Sequence, residues 1–101
     1  MKYFVIGDED TVLGFDLAGV GGRVARGAGE AQEAFSSALD DPDIGILVIT
    51  ERTADLIRTA VDRHQFTERF PLVVEIPDRE GPLEGRPGIR EMVNAAIGVK
   101  L

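Results

Sequence analysis

Three successive carboxylates, Asp8, Glu9 and Asp10, follow a short apolar run and form the densest set of hard oxygen ligands in the chain. Such a trio at a strand end can hold Mg²⁺ beside a phosphorylatable aspartate. That chemistry also needs an Asp at the end of the third strand, where this chain has Thr50, and a Lys after a fifth strand, which is missing from the pattern. With two of its roles unfilled, the phosphoacceptor reading is weak. Asp8 to Asp10 are expected instead to open a helix, where acidic groups complement the positive end of the helix dipole.

Other chemistries fail on residue type or spacing. Gly19-Val20-Gly21-Gly22-Arg23-Val24 begins like a dinucleotide-binding glycine motif, but Val24 stands at the third glycine position. The run also precedes a strand instead of following one, so it reads as a helix stop and tight turn. No phosphate-cradling G-K-S/T is present. His64 is the single histidine and is expected to be solvated near a helix end. One His with scattered carboxylates does not supply the roughly four ligands of a structural metal site. With no cysteine, and Ser36 and Ser37 placed on a helix, no nucleophilic triad assembles. Catalytic, cofactor and metal sites are therefore all expected to be absent.

The elements that would position these residues alternate between strand and helix. Lys2 to Ile6 reads as a strand buried on both faces, followed by a helix from about Thr11 to Val20. Arg23 to Arg26 is a weak edge strand. A second helix spans about Glu30 to Leu39, with Ala31, Ala34, Phe35, Ala38 and Leu39 on one face. Ile44 to Ile49 is apolar throughout and predicts a central strand. Thr50 caps a third helix, about Glu51 to His64, whose inner stripe is Ala54, Ile57 and Val61. Pro71 to Ile76 is the fourth strand. Helices between strands imply a parallel sheet with right-handed crossovers. The most economical order is 2-1-3-4. The fold class is thus α/β, one three-layer domain resembling a flavodoxin or response-regulator fold without its fifth strand.

Residues 1–76 are expected to form this α/β core. Residues 77–88 are a polar loop with three prolines and three glycines, and 89–101 carry a C-terminal helix. Twelve residues make a long connection in a compact domain, of the kind that lets a following segment reposition. Ile89, Met92, Val93, Ala96 and Ile97 recur at helical spacing in that last helix.

Composition narrows the partners. The 101 residues suit one compact domain. With 18 acidic and 11 basic side chains the formal charge is −7, which argues against nucleic acid and against an anionic lipid surface. Lacking cysteine, the chain has no disulfides, which fits a cytoplasmic setting. The apolar run before Gly7 is too short for a signal peptide, and no stretch approaches the ~20 apolar residues that span a bilayer. Direct membrane contact is not expected.

Val12 to Val20 points to a protein partner. Leu13, Leu17 and Val20 share one face of this helix, while Val12, Phe15 and Gly19 point away from it, and Asp16 is the only charge in the run. A helix apolar all round either lies deep inside its domain or meets a partner. Gly14 and Gly19 each cost about 1 kcal/mol against Ala within a helix, which makes sense where something packs closely.

The string from Ile6 to Gly19, Ile-Gly-Asp-Glu-Asp-Thr-Val-Leu-Gly-Phe-Asp-Leu-Ala-Gly, resembles the opening signature of the F subunits of V-type and A-type ATPases. The resemblance continues through Glu33-Ala34-Phe35, Asp43 to Glu51, Pro71, Val74-Glu75-Ile76-Pro77 and Ala96 to Leu101. It implies a non-catalytic rotor component that binds the coiled-coil D subunit of the central stalk, within a ring of catalytic A and B subunits. ATP turnover in that ring is coupled to proton or sodium-ion movement through a membrane sector. It further implies a C-terminal helix that moves and reaches the A and B head subunits. The chain would then be peripheral to the membrane as part of the complex. The expected interface is Val12, Phe15 and Gly19, with Ile89, Met92, Val93 and Ile97. The competing class is a receiver-like or small-ligand-binding switch protein.

Overall fold

A computed structural model of the chain describes residues 1–68, 70–78, 80 and 81. The expected C-terminal helix, and the loop from residue 82 onward, lie outside the described residues. Within them the order is β1 (Lys2–Gly7), α1 (Glu9–Leu17), β2 (Gly21–Val24), α2 (Ala28–Leu39), β3 (Ile44–Thr50), α3 (Glu51–Leu56), α4 (Arg58–Thr67) and β4 (Leu72–Ile76). All strand pairs are parallel, in the order β2-β1-β3-β4. This is the α/β architecture and strand order expected from the sequence.

Among the described residues, the two faces of the sheet are covered unequally. Phe4 and Ile6 of β1, Leu47 and Ile49 of β3 and Val73 of β4 point to the face where α2, α3 and α4 pack. There they meet Ala31, Ala34, Phe35 and Ala38 of α2, Ala54 of α3, Ile57 and Val61. Phe35 is 1% exposed, and its burial contributes roughly 1.5–3 kcal/mol. Alternation sends Tyr3 and Val5, Ile46 and Val48, and Leu72 and Val74 to the opposite face. They line up in cross-strand rows, since Tyr3 pairs with Ile46 and Ile46 with Leu72, while Val5 pairs with Val48 and Val48 with Val74. On that face α1 packs on β1 and β2. Its nine residues span only about 13 Å. Val5 and Val48 are buried, but Tyr3, Leu72 and Val74 are exposed. Two-sided burial of β1 therefore holds for its C-terminal half alone.

Helix α1 lies earlier than the expected span of about Thr11 to Val20, so Val20 falls outside it. Three further local expectations change. The edge strand lies two residues earlier than the sequence suggests, at Gly21–Val24, where Gly22 pairs with Val5. A Cβ at Gly22 would lie 2.5 Å from the Val5 carbonyl oxygen and closer still to Val5 Cγ1, so only glycine allows this approach. The third helix is two helices, broken at Ile57, whose φ and ψ of −132° and 39° leave the helical region. The break keeps Ile57 in the core, as the expected inner stripe required.

The third change concerns His64. It is not solvated but 7% exposed. Helix α4 runs one turn beyond it, to Thr67. His64 follows Ile57 and Val61 at helical spacing, so it shares their inward face. Its Nε2 lies 2.8 Å from the Pro71 carbonyl oxygen. A carbonyl can only accept, so Nε2 carries the proton. The ring also meets Phe35 edge-on at 6.1 Å between centroids.

Candidate functional site

The C-terminal ends of the strands, where open parallel sheets usually place their ligands, carry a polar hollow lined by Asp8, Glu9, Asp10, Arg52, Asp78 and Glu80. Asp8 is the N-cap of α1, accepting from the Thr11 amide at 3.2 Å and from the Thr11 hydroxyl. Partial burial would push the Asp8 carboxyl up, but the Thr11 bonds together with backbone amides outweigh it and hold the group below its ordinary value. Glu9 is paired with Arg26 at the start of the next crossover. Thr50 stands where a phosphoacceptor would be needed. It is 1% exposed, and its hydroxyl oxygen accepts from the Thr53 amide at 3.2 Å to cap α3. Asp8 is thus tied into a helix cap and Glu9 into an ion pair. Among the described residues no group of three or more His, Cys, Asp or Glu is arranged to hold a metal ion.

The apolar features lie on and beside α1. No residue of this helix is fully buried. Of the two alternatives for an all-round apolar helix, a place deep inside the domain is therefore excluded. Leu13 and Leu17 are 57% and 81% exposed and sit one turn apart, which places them side by side on the outer surface. Val12 and Phe15 are half-buried on the inner side. Phe15 helps to line a shallow apolar groove with Gly14, Ala18, Ile76 and Pro77, between α1 and the end of β4. Gly19 is exposed and ends the helix in the left-handed region, at φ 89°. Ile89, Met92, Val93 and Ile97 lie outside the described residues.

Sequence reasoning singled out Val12, Phe15 and Gly19 of this helix, whereas the fold leaves Leu13 and Leu17 as its outermost large side chains. A helical wheel separates the two apolar faces without saying which one meets the sheet. The row of exposed Tyr3, half-buried Ile46 and exposed Leu72 was missed as well. Its signal was the expected strand order, which puts just one of the crossover helices on that face.

Similarity to known proteins extends over almost all of this structure. Residues 4–93 match the family model described as ATP synthase (F/14-kDa) subunit. The F subunit of the A-type ATP synthase of Pyrococcus furiosus is 39% identical over 108 residues, covering 100% of this chain and 98% of the relative. That of Methanothermobacter thermautotrophicus is 34% identical over 99 residues, covering 96% and 92%. A probable F subunit of the V-type proton ATPase of Caenorhabditis elegans is 40% identical over 107 residues, covering 94% and 85%. A family match over nearly the whole chain and full-length relatives agree with the signature at Ile6 to Gly19, and the chain belongs to the family of F subunits of A-type ATP synthases and V-type ATPases.

Proposed function

We propose that this chain is a non-catalytic rotor component that binds the coiled-coil D subunit of the stalk and supports the coupling of ATP turnover to proton or sodium-ion transport. The observation that carries the binding role is helix α1, where two leucines are more than half exposed and no residue is fully buried. An exposed apolar pair on a helix of an acidic domain fits an apolar stripe on a partner helix. Leu13 and Leu17 are the proposed first contacts. Val12 and Phe15 back them from beneath, and Gly19 leaves room at the helix end. Ile89, Met92, Val93 and Ile97 are proposed as a second contact, reaching the A and B head subunits. No helix among the described residues is long and apolar enough to cross a membrane, so the complex would hold this chain at the membrane periphery.

Co-expression with the stalk's D subunit, followed by size-exclusion chromatography with light scattering, tests the reading. A stable one-to-one complex supports it. Two separate peaks would remove the rotor role while leaving the fold untouched.

A further inference from the structure

We propose that Arg52 is an ionic latch that fixes the direction in which the chain leaves the sheet after β4. Arg52 is the second residue of α3, at the C-terminal end of the central strand. Its Nε donates to Asp78 Oδ2 at 2.9 Å, and its Nη2 lies 3.1 Å from Glu80 Oε2. These partners are distant in sequence and lie just beyond β4. Asp78 also organises the turn that follows. Its Oδ1 accepts from the Glu80 amide at 2.9 Å, and its carbonyl oxygen accepts from the Gly81 amide at 2.9 Å. Asp78 therefore holds the turn together, while Arg52 holds the turn to the body.

The surroundings give the latch its sign. Among the described residues, five carboxylates and one guanidinium line the hollow at this end of the sheet. The Asp78 side chain is only 8% exposed. With Arg52 present, the turn is drawn toward the start of α3. Without it, Asp78 and Glu80 share the hollow with the like charge of Asp8 and Asp10, Glu9 being paired with Arg26, and the turn is pushed outward. The hydrogen bond and charge of Asp78 raise the Arg52 guanidinium above its ordinary value, in line with an attraction that survives partial exposure. The latch therefore fixes where Glu80 and Gly81 sit against the start of α3. The geometry of the latch stands apart from the rotor reading, and so does its test.

Amide hydrogen exchange, read residue by residue by NMR on the full chain, tests it. In Arg52→Gln the Glu80 and Gly81 amides should exchange roughly three- to tenfold faster than in the parent, while those of Ile49 and Val61 keep their rates. Salt should act with opposite effect in the two proteins. Raising ionic strength screens the attraction in the parent and speeds exchange at Glu80 and Gly81. In Arg52→Gln it screens only repulsion, so exchange there should not rise. Arg52→Lys keeps the charge and should fall between the two. Unchanged exchange at Glu80 and Gly81 in Arg52→Gln would overturn the proposal. An equal rise at Ile49 and Val61 would also overturn it, because Arg52 would then merely support the fold.

Discussion

Arg58, the first residue of α4, grips Glu75 of β4 through two parallel hydrogen bonds, 2.7 Å from Nη1 to Oε2 and 2.8 Å from Nη2 to Oε1. The same guanidinium reaches Asp55 and Asp62. The Glu75 bonds come first among the causes that hold Arg58 above its ordinary range. Both side chains are more buried than exposed, so this pair should exceed a surface ion pair yet fall short of a fully buried one. Arg58→Ala is predicted to lower stability by about 1–2 kcal/mol, with a drop in Tm of about 4–8 °C for each kcal/mol. Arg58→Lys should recover less than half of the loss, since an ammonium cannot form the two-pronged contact. Thermal and urea denaturation of the three proteins measure both.

The close approach of β2 to β1 gives a paired prediction. Gly22→Ala forces a methyl toward the Val5 carbonyl oxygen, a backbone atom that cannot swing aside. Overpacking of this kind should cost about 1–3 kcal/mol. At neighbouring Gly21 an added Cβ meets nothing within 4 Å, so Gly21→Ala should change stability by less than about 0.5 kcal/mol. Equal effects at the two positions would show that β2 does not lie against β1 in this register.

Much of this architecture was legible from sequence. Strand order followed from alternation and crossover handedness, and the core followed from Ala31, Ala34, Phe35, Ala54, Ile57 and Val61 at helical spacing. What escaped depends on contacts between distant segments. Gly21 and Gly22 resemble a turn until the Val5 carbonyl oxygen beside Gly22 is known. His64 continues the spacing of Ile57 and Val61, but its burial rests on the Pro71 carbonyl that accepts its Nε2–H hydrogen bond. The wheel of α1 showed two apolar faces, and packing on β1 and β2 left Leu13 and Leu17 as the outer one. Ile57 carries no breaker signal, and a continuous third helix was the natural reading.

Asp8 should make part of the stability depend on pH. Its folded carboxyl is held below the ordinary value of 3.8, so its stabilising contribution is complete above that value and disappears as pH falls through the folded value. Asp8→Asn keeps an N-cap acceptor without the titration. The stability difference between parent and Asp8→Asn is predicted to be constant from pH 7 to about 5 and to shift against the parent below about pH 4. Asp8→Ala should lose about 1 kcal/mol at pH 7 through the missing cap. Urea midpoints across the pH series read out both effects, and a parallel decline of parent and Asp8→Asn in acid would show that the cap carries no such linkage.

The proposed binding to a stalk D subunit is tested most directly by titration calorimetry of that subunit with the parent and with Leu13→Asp/Leu17→Asp. Both leucines are exposed in the isolated chain, so the double variant should keep its Tm within about 2 °C. Placing two carboxylates against an apolar stripe should weaken binding by about 2–4 kcal/mol, roughly 30- to 1,000-fold. A folded double variant that binds the D subunit as tightly as the parent would contradict the assignment of α1 as the docking face.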